Sequence, residues 1–132
     1  MRIVLKEFPV LGPGSTEAAR VSIAARMQGD ARKFQDFHFR LLATRGQADQ
    51  ARALAVAKEV GLDVERIRKD MLVNEAGQII DESTELANAL GINGTPTYVV
   101  GEQLIVGAIG AAGLAEKISA ERKRCQESSL SC

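Results

Sequence analysis

Few places in this 132-residue sequence carry residues whose type and spacing could do chemistry. The sharpest is the run Leu90-Gly91-Ile92-Asn93-Gly94-Thr95-Pro96-Thr97-Tyr98-Val99-Val100. Pro96 stands at the first position of an expected strand, where a missing N–H is tolerated, and Gly94 lets the chain turn sharply just before it. An X-Pro bond at such a place can be cis at a cost of about 0.5 to 1 kcal/mol. Taken alone, Gly-Thr-Pro is a turn signal.

The other reactive residues form no constellation. Cys125 and Cys132 are spaced C-x6-C in a polar tail, which is neither a C-x-x-C redox motif nor a zinc-ligand pair. They read as exposed tail thiols able to join each other or a second chain. Cys125 falls at an expected helix C-terminus, where the dipole disfavours a thiolate. His38, the single histidine, lies within the stripe Phe34, Phe37, Leu41, and reads as a packed residue with one satisfied ring nitrogen. One histidine without neighbouring cysteines or paired carboxylates makes no metal site. Asp81, Glu82 and Glu85 read as the solvated face of a helix. Gly12-Pro13-Gly14-Ser15 lacks the Lys and Ser/Thr of a phosphate loop. No cofactor is expected.

The composition narrows the function class. Seventeen Lys and Arg balance seventeen Asp and Glu, and 45% of the residues are hydrophobic. One ordinary globular domain is expected, able to bury a core without metal or disulfides. A nucleic-acid partner would need a concentrated basic face, and Arg122-Lys123-Arg124 is too small for one. No window nears the roughly eighteen apolar residues of a membrane span. The opening Met1-Arg2-Ile3-Val4-Leu5-Lys6-Glu7-Phe8 reads as no signal peptide.

The elements that must position the turn follow from periodicity. Residues 3–8 are expected to form a β-strand ending at Pro9. A first helix is expected over about residues 16–28, capped by Ser15 and closed by Gly29. Asp30 caps a second, in which Phe34, Phe37, His38, Leu41 and Leu42 recur at buried-stripe spacing beside Phe39. An Ala-rich helix over about residues 48–60 ends at Gly61. Asp63 caps a fourth, with Val64, Ile67 and Met71 on one face, and a fifth carries Ile79, Ile80, Leu86, Ala87 and Leu90. The period then changes from 3.6 to 2, so Thr97-Tyr98-Val99-Val100 and Leu104-Ile105-Val106 form a hairpin about Gly101-Glu102. A last amphipathic helix carries Ala111, Leu114, Ala115 and Ile118 into a polar tail at about residues 121–132. The expected class is α/β, one domain over residues 1–132 with a helical insertion at about residues 15–91.

These segments together resemble the DsbA-like branch of the thioredoxin superfamily. The matching text is Ile3-Val-Leu-Lys-Glu-Phe-Pro-Val-Leu-Gly-Pro-Gly-Ser with Ala18-Ala-Arg after it, Phe37-His38, Gly61-Leu-Asp-Val-Glu-Arg, and Leu90 through Gly101. It spans roughly residues 2–120, and linked motifs in the right order make it specific. The resemblance implies a thioredoxin-like fold with an inserted helical block and a thiol:disulfide oxidoreductase activity on protein or peptide thiols. It implies that Thr95 and Pro96 bind substrate: the proline is cis beside the redox disulfide, and the Thr95 backbone pairs with the substrate as an added strand. It also implies work outside the cytoplasm, where disulfides persist.

The family's catalytic strand and C-x-x-C belong N-terminal to the segment matching Ile3-Val-Leu-Lys-Glu-Phe-Pro, and nothing in this sequence matches them. Thiol–disulfide exchange needs an attacking thiolate. A truncated or inactive copy is therefore expected, with no catalytic residue of its own, unless the true start lies upstream. The missing strand would lie between those matching residues 3–8 and 97–100, so unpaired apolar edges are expected to drive a homodimer or a rearranged sheet. Two alternatives stand beside this: a non-catalytic peptide-binding or assembly module using the cis-proline groove, and a glutathione binder like the kappa-class glutathione transferases.

Overall fold

The first helix is lined by small residues, and that choice sets the packing around it. In the computed structural model, which describes residues 1–127, α1 (Pro13–Met27) buries Ala18, Ala19, Val21, Ser22, Ile23, Ala24 and Ala25. With burial on several sides, it packs against α2 (Ala31–Ala43), α3 (Gln50–Glu59), α4 (Val64–Asp70) and α5 (Asn74–Ala89). Its main core gathers Val21, Ala24, Phe37, Leu54, Ile67 and Met71. A second cluster, Ala19 and Ile23 with Ala76 and Ile80, joins α1 to α5. These helices make up one compact unit, Met1–Gly91.

The caps carry the local logic. Asp30, Asp49 and Asp63 each accept a hydrogen bond from the backbone N–H three residues on, at 3.0, 2.8 and 2.9 Å. Asp49 is the cap that moves the start of α3 to Gln50, two residues later than expected. Beyond α3, the Gly61 N–H bonds the Lys58 carbonyl and the Leu62 N–H bonds the Ala57 carbonyl, the paired closure for which the left-handed φ of 74° at Gly61 is suited. The side chain of Gln28 pairs with both the N–H and the carbonyl of Asp63, tying the end of α1 to the start of α4.

Three expectations are corrected. Residues 3–8 form no strand: among the described residues no backbone ladder reaches them, and a strand is stable only as one member of a pair. Ile3, Val4 and Leu5 are exposed, while Glu7 accepts a 2.6 Å hydrogen bond from the buried Ser22 hydroxyl. α1 begins at Pro13 rather than after Ser15, because proline is well suited to the first helical position and the Gly12 carbonyl already accepts the Ser15 N–H. The stripe of α2 is narrower than expected. Phe37 is fully buried and Phe34 and Leu41 pack beside it, yet Phe39 is 61% and Leu42 70% exposed; Leu86 and Leu90 of the fifth helical stretch are exposed as well.

The second unit begins at Ile92. Strands β1 (Thr97–Val100) and β2 (Gln103–Val106) pair antiparallel, Thr97 opposite Val106 and Val100 opposite Gln103, as the period-2 pattern predicts. Helix α6 (Gly110–Glu127) packs on β1 and half-buries Leu114 and Ile118, whereas Ala111 and Ala115 are exposed. Five helices, a hairpin and a helix reproduce the expected order apart from its first strand.

The contrast among the phenylalanines of α2 gives a stability test. Phe37→Ala removes a fully buried ring and is expected to cost about 3 to 5 kcal/mol of unfolding free energy in urea titrations. Phe39→Ala should change it by about 0.5 kcal/mol or less.

Candidate functional site

The turn entering β1 is built by short-range hydrogen bonds. The Thr97 hydroxyl donates to the Gly94 carbonyl at 2.8 Å, closing the bend that contains Thr95 and Pro96. The Gly107 N–H donates to the Pro96 carbonyl at 2.9 Å, which carries the hairpin's pairing one step beyond Thr97. Between these two braces the Thr95–Pro96 peptide bond is cis, and both residues are exposed. The Thr95 backbone N–H and carbonyl have no hydrogen-bond partner among the described residues. One edge of β1 is taken by β2, and no second strand lies on its other edge among the described residues. The site can therefore offer main-chain donors and acceptors to an extended chain, and among the described residues it holds no thiol.

The far end of the hairpin is held electrostatically. Arg124 on α6 bonds Glu121 at 2.6 and 3.1 Å and reaches Glu102 in the turn at 3.5 Å. The hydrogen bond from Arg124 holds the Glu121 carboxyl below its ordinary value, opposed by partial burial and helped by the charge of Arg124; the same contacts raise Arg124. Gly101 sits in the left-handed region at φ 59°, and a β-carbon there would run into the Glu121 carboxylate. Sequence reading missed these supports, although a Thr one residue after the Pro, able to reach back three residues, is a legible turn-closing signal.

The remaining candidates take structural places. His38 is half-buried and lies against the rings of Phe34 and Phe39, with centroids at 6.2 and 5.9 Å. Asp81, Glu82 and Glu85 are exposed on α5. Cys125 is disulfide-bonded in the last turns of α6, so it presents no thiol, and Cys132 lies outside the described residues. Among the described residues no group of three metal-ligating side chains converges, and no helix is long and apolar enough to cross a membrane.

A helical block, a hairpin entered through a cis-proline and a following helix define a thioredoxin-like fold. The sequence profile of the DSBA-like thioredoxin domain matches residues 2–119, and the chain belongs to that family. It is 41% identical to a thioredoxin-like oxidoreductase from Silicibacter pomeroyi DSS-3, with a TM-score of 0.81 over 89% of this chain and 66% of that one. It is 29% identical to the thiol-disulfide exchange protein alpha-DsbA2 from Wolbachia pipientis, with a TM-score of 0.79 over 89% of this chain and 63% of that one. The chain thus spans slightly less than two-thirds of these relatives. A further match, 30% identical over 102 residues, covers 76% of this chain and 15% of the Na(+)/H(+) antiporter NhaA 1 of Salinispora arenicola (strain CNS-205).

The pH behaviour of the hairpin clamp follows from the lowered Glu121 value. Its stabilisation is fully present above the ordinary carboxylate range and is lost as pH falls through the lowered value. NMR titration should show the Glu121 carboxyl titrating below an ordinary glutamate, and Arg124→Met should move it upward.

Proposed function

We propose that this chain provides the proline-side, substrate-holding part of a thiol:disulfide oxidoreductase site. Thr95 and Pro96 are the substrate-binding residues, and protein or peptide thiols are the substrates. The Thr95 main chain pairs with an extended substrate segment as an added strand, which brings a substrate sulfur beside the proline. The observation that carries this reading is the exposed, unpartnered Thr95 backbone at the mouth of a strand with an open edge. Family membership and the names of the two relatives supply the redox half of the argument. They lend no support to the glutathione-binder or purely structural alternatives.

The dithiol does not come from these 132 residues, which contain no C-x-x-C. Thiol–disulfide exchange transfers electrons between sulfurs, and threonine and proline hold none. The apolar, unpaired residues 3–5 and the open edge of β1 are each ready to take a strand from another chain, which supports a homodimer.

Three measurements test this: peptide binding, insulin reduction and sedimentation. With Cys125 and Cys132 both changed to serine, the chain should bind an extended cysteine-containing peptide and fail to reduce insulin; insulin reduction by that variant overturns the assignment. Thr95→Pro, which removes one backbone donor, should weaken the peptide by about tenfold, while Thr95→Ala keeps the main chain and most of the affinity. In sedimentation the chain should run larger than a monomer, and a monodisperse monomer would refute the dimer.

A further inference from the structure

The end of α2 and the exposed side of α3 enclose a shallow cleft of about 240 Å³ in the first unit. The buried Val56 lies at its base, the exposed Ala43 and Ala55 flank it, and Arg40, Thr44, Arg52 and Glu59 complete the lining. The two arginines come from different helices and meet at one opening. Asp36 engages Arg40 only at Nε, at 3.1 Å, which leaves the outer nitrogens of that guanidinium available. The Arg52 side chain has no carboxylate partner among the described residues. The Arg52 backbone N–H bonds the Asp49 carboxylate at 2.8 Å. The Thr44 hydroxyl donates to the Leu41 carbonyl at 2.7 Å, so its oxygen can still accept.

We propose that this cleft binds a small carboxylate with a short apolar body. A guanidinium is weakly hydrated and planar, and its fork of N–H groups matches a carboxylate in two parallel hydrogen bonds. Arg52 makes that contact, Arg40 adds a second from the opposite wall, and Val56 and Ala43 cover the ligand's carbon chain. The volume sets the size: it falls below the roughly 300 to 1,000 Å³ of sites that hold drug-sized molecules, so it suits a short acid or one acidic side chain. Glu59, two turns along α3 from Arg52, selects the charge. A carboxylate's single charge meets Arg52 and an Arg40 already shared with Asp36, and Glu59 repels a phosphate dianion about twice as strongly as it repels that single charge.

Amide chemical shifts of the full chain, titrated with sodium butyrate, with a capped Ala-Glu-Ala peptide and with inorganic phosphate, test the site. Saturable shifts are expected at Thr44, Arg52 and Val56, with a dissociation constant on the order of 1 mM for the better carboxylate probe. Stronger binding of butyrate identifies a free acid as the ligand, and stronger binding of the peptide identifies an acidic protein side chain. Arg52→Ala should weaken the better probe by about tenfold. This variant keeps the backbone bond to Asp49 and removes an exposed side chain, so the helix remains intact. Glu59→Gln should narrow the preference for carboxylate over phosphate. The proposal is overturned by an absence of saturation up to about 50 mM, by an Arg52→Ala variant that binds as well as the parent, or by phosphate binding more tightly than both carboxylates.

Discussion

Burial of α1 is the constraint on which the helical unit depends. A helix surrounded by four others must let their backbones approach, and Ala18, Ala19, Ala24 and Ala25 provide that clearance. Interiors pack at crystal-like density, so one larger side chain on this helix would push a neighbour out rather than fill a gap. Val21 and Ile23 of α1 supply part of the bulk, and Phe37 of α2, Leu54 of α3, Ile67 of α4 and Ile80 of α5 pack with α1 to supply the rest. The single polar side chain buried on α1, Ser22, is satisfied by Glu7, which also fixes where the N-terminal stretch runs.

The hairpin unit is organised on a different principle. Few of its side chains are buried, and among the described residues Ile105 is the one apolar side chain of this unit that is buried. Its geometry therefore rests on directional contacts at both ends: the Thr97 and Gly107 bonds around Thr95 and Pro96, and the Arg124 clamp around Gly101 and Glu102. Hydrogen bonds specify orientation better than apolar contact does, and a site that recognises an extended chain by its backbone requires orientation above all. The exposed face formed by Val99, Leu104 and Val106 reflects the same economy of burial.

What could be read from the sequence was what is decided locally. Asp30 and Asp63 are caps because an aspartate before an apolar-periodic run has a backbone N–H within reach, and both bonds form. The Gly61 closure and the hairpin register are equally local. The turn at Thr95 and Pro96 was visible for the same reason, since proline and glycine act on their own backbone. Residues 3–8 were misread because alternation and β-propensity describe a surface suited to a sheet, while the sheet itself depends on a partner elsewhere. Leu42 departs from the expected stripe because periodicity gives a stripe but not its width, which the neighbouring helices decide.

The same distinction separates the two proposed binding surfaces. The strand-entry turn is a property of about ten consecutive residues, so a motif can announce it, whereas the family is recognised over residues 2–119. The arginine cleft joins residues from α2 and α3 across a loop whose path the sequence pattern does not specify, and each arginine alone looks like an ordinary solvated charge. Its chemistry becomes visible only when two helices pack and leave one guanidinium without a carboxylate. Pairing is informative here because Arg40 takes its i, i+4 partner Asp36, whereas Arg52 has Ala48 and Val56 at that spacing and its neighbour Asp49 caps the helix by accepting from the Arg52 backbone N–H. A guanidinium that makes no ion pair gains more from an external anion than one already paired.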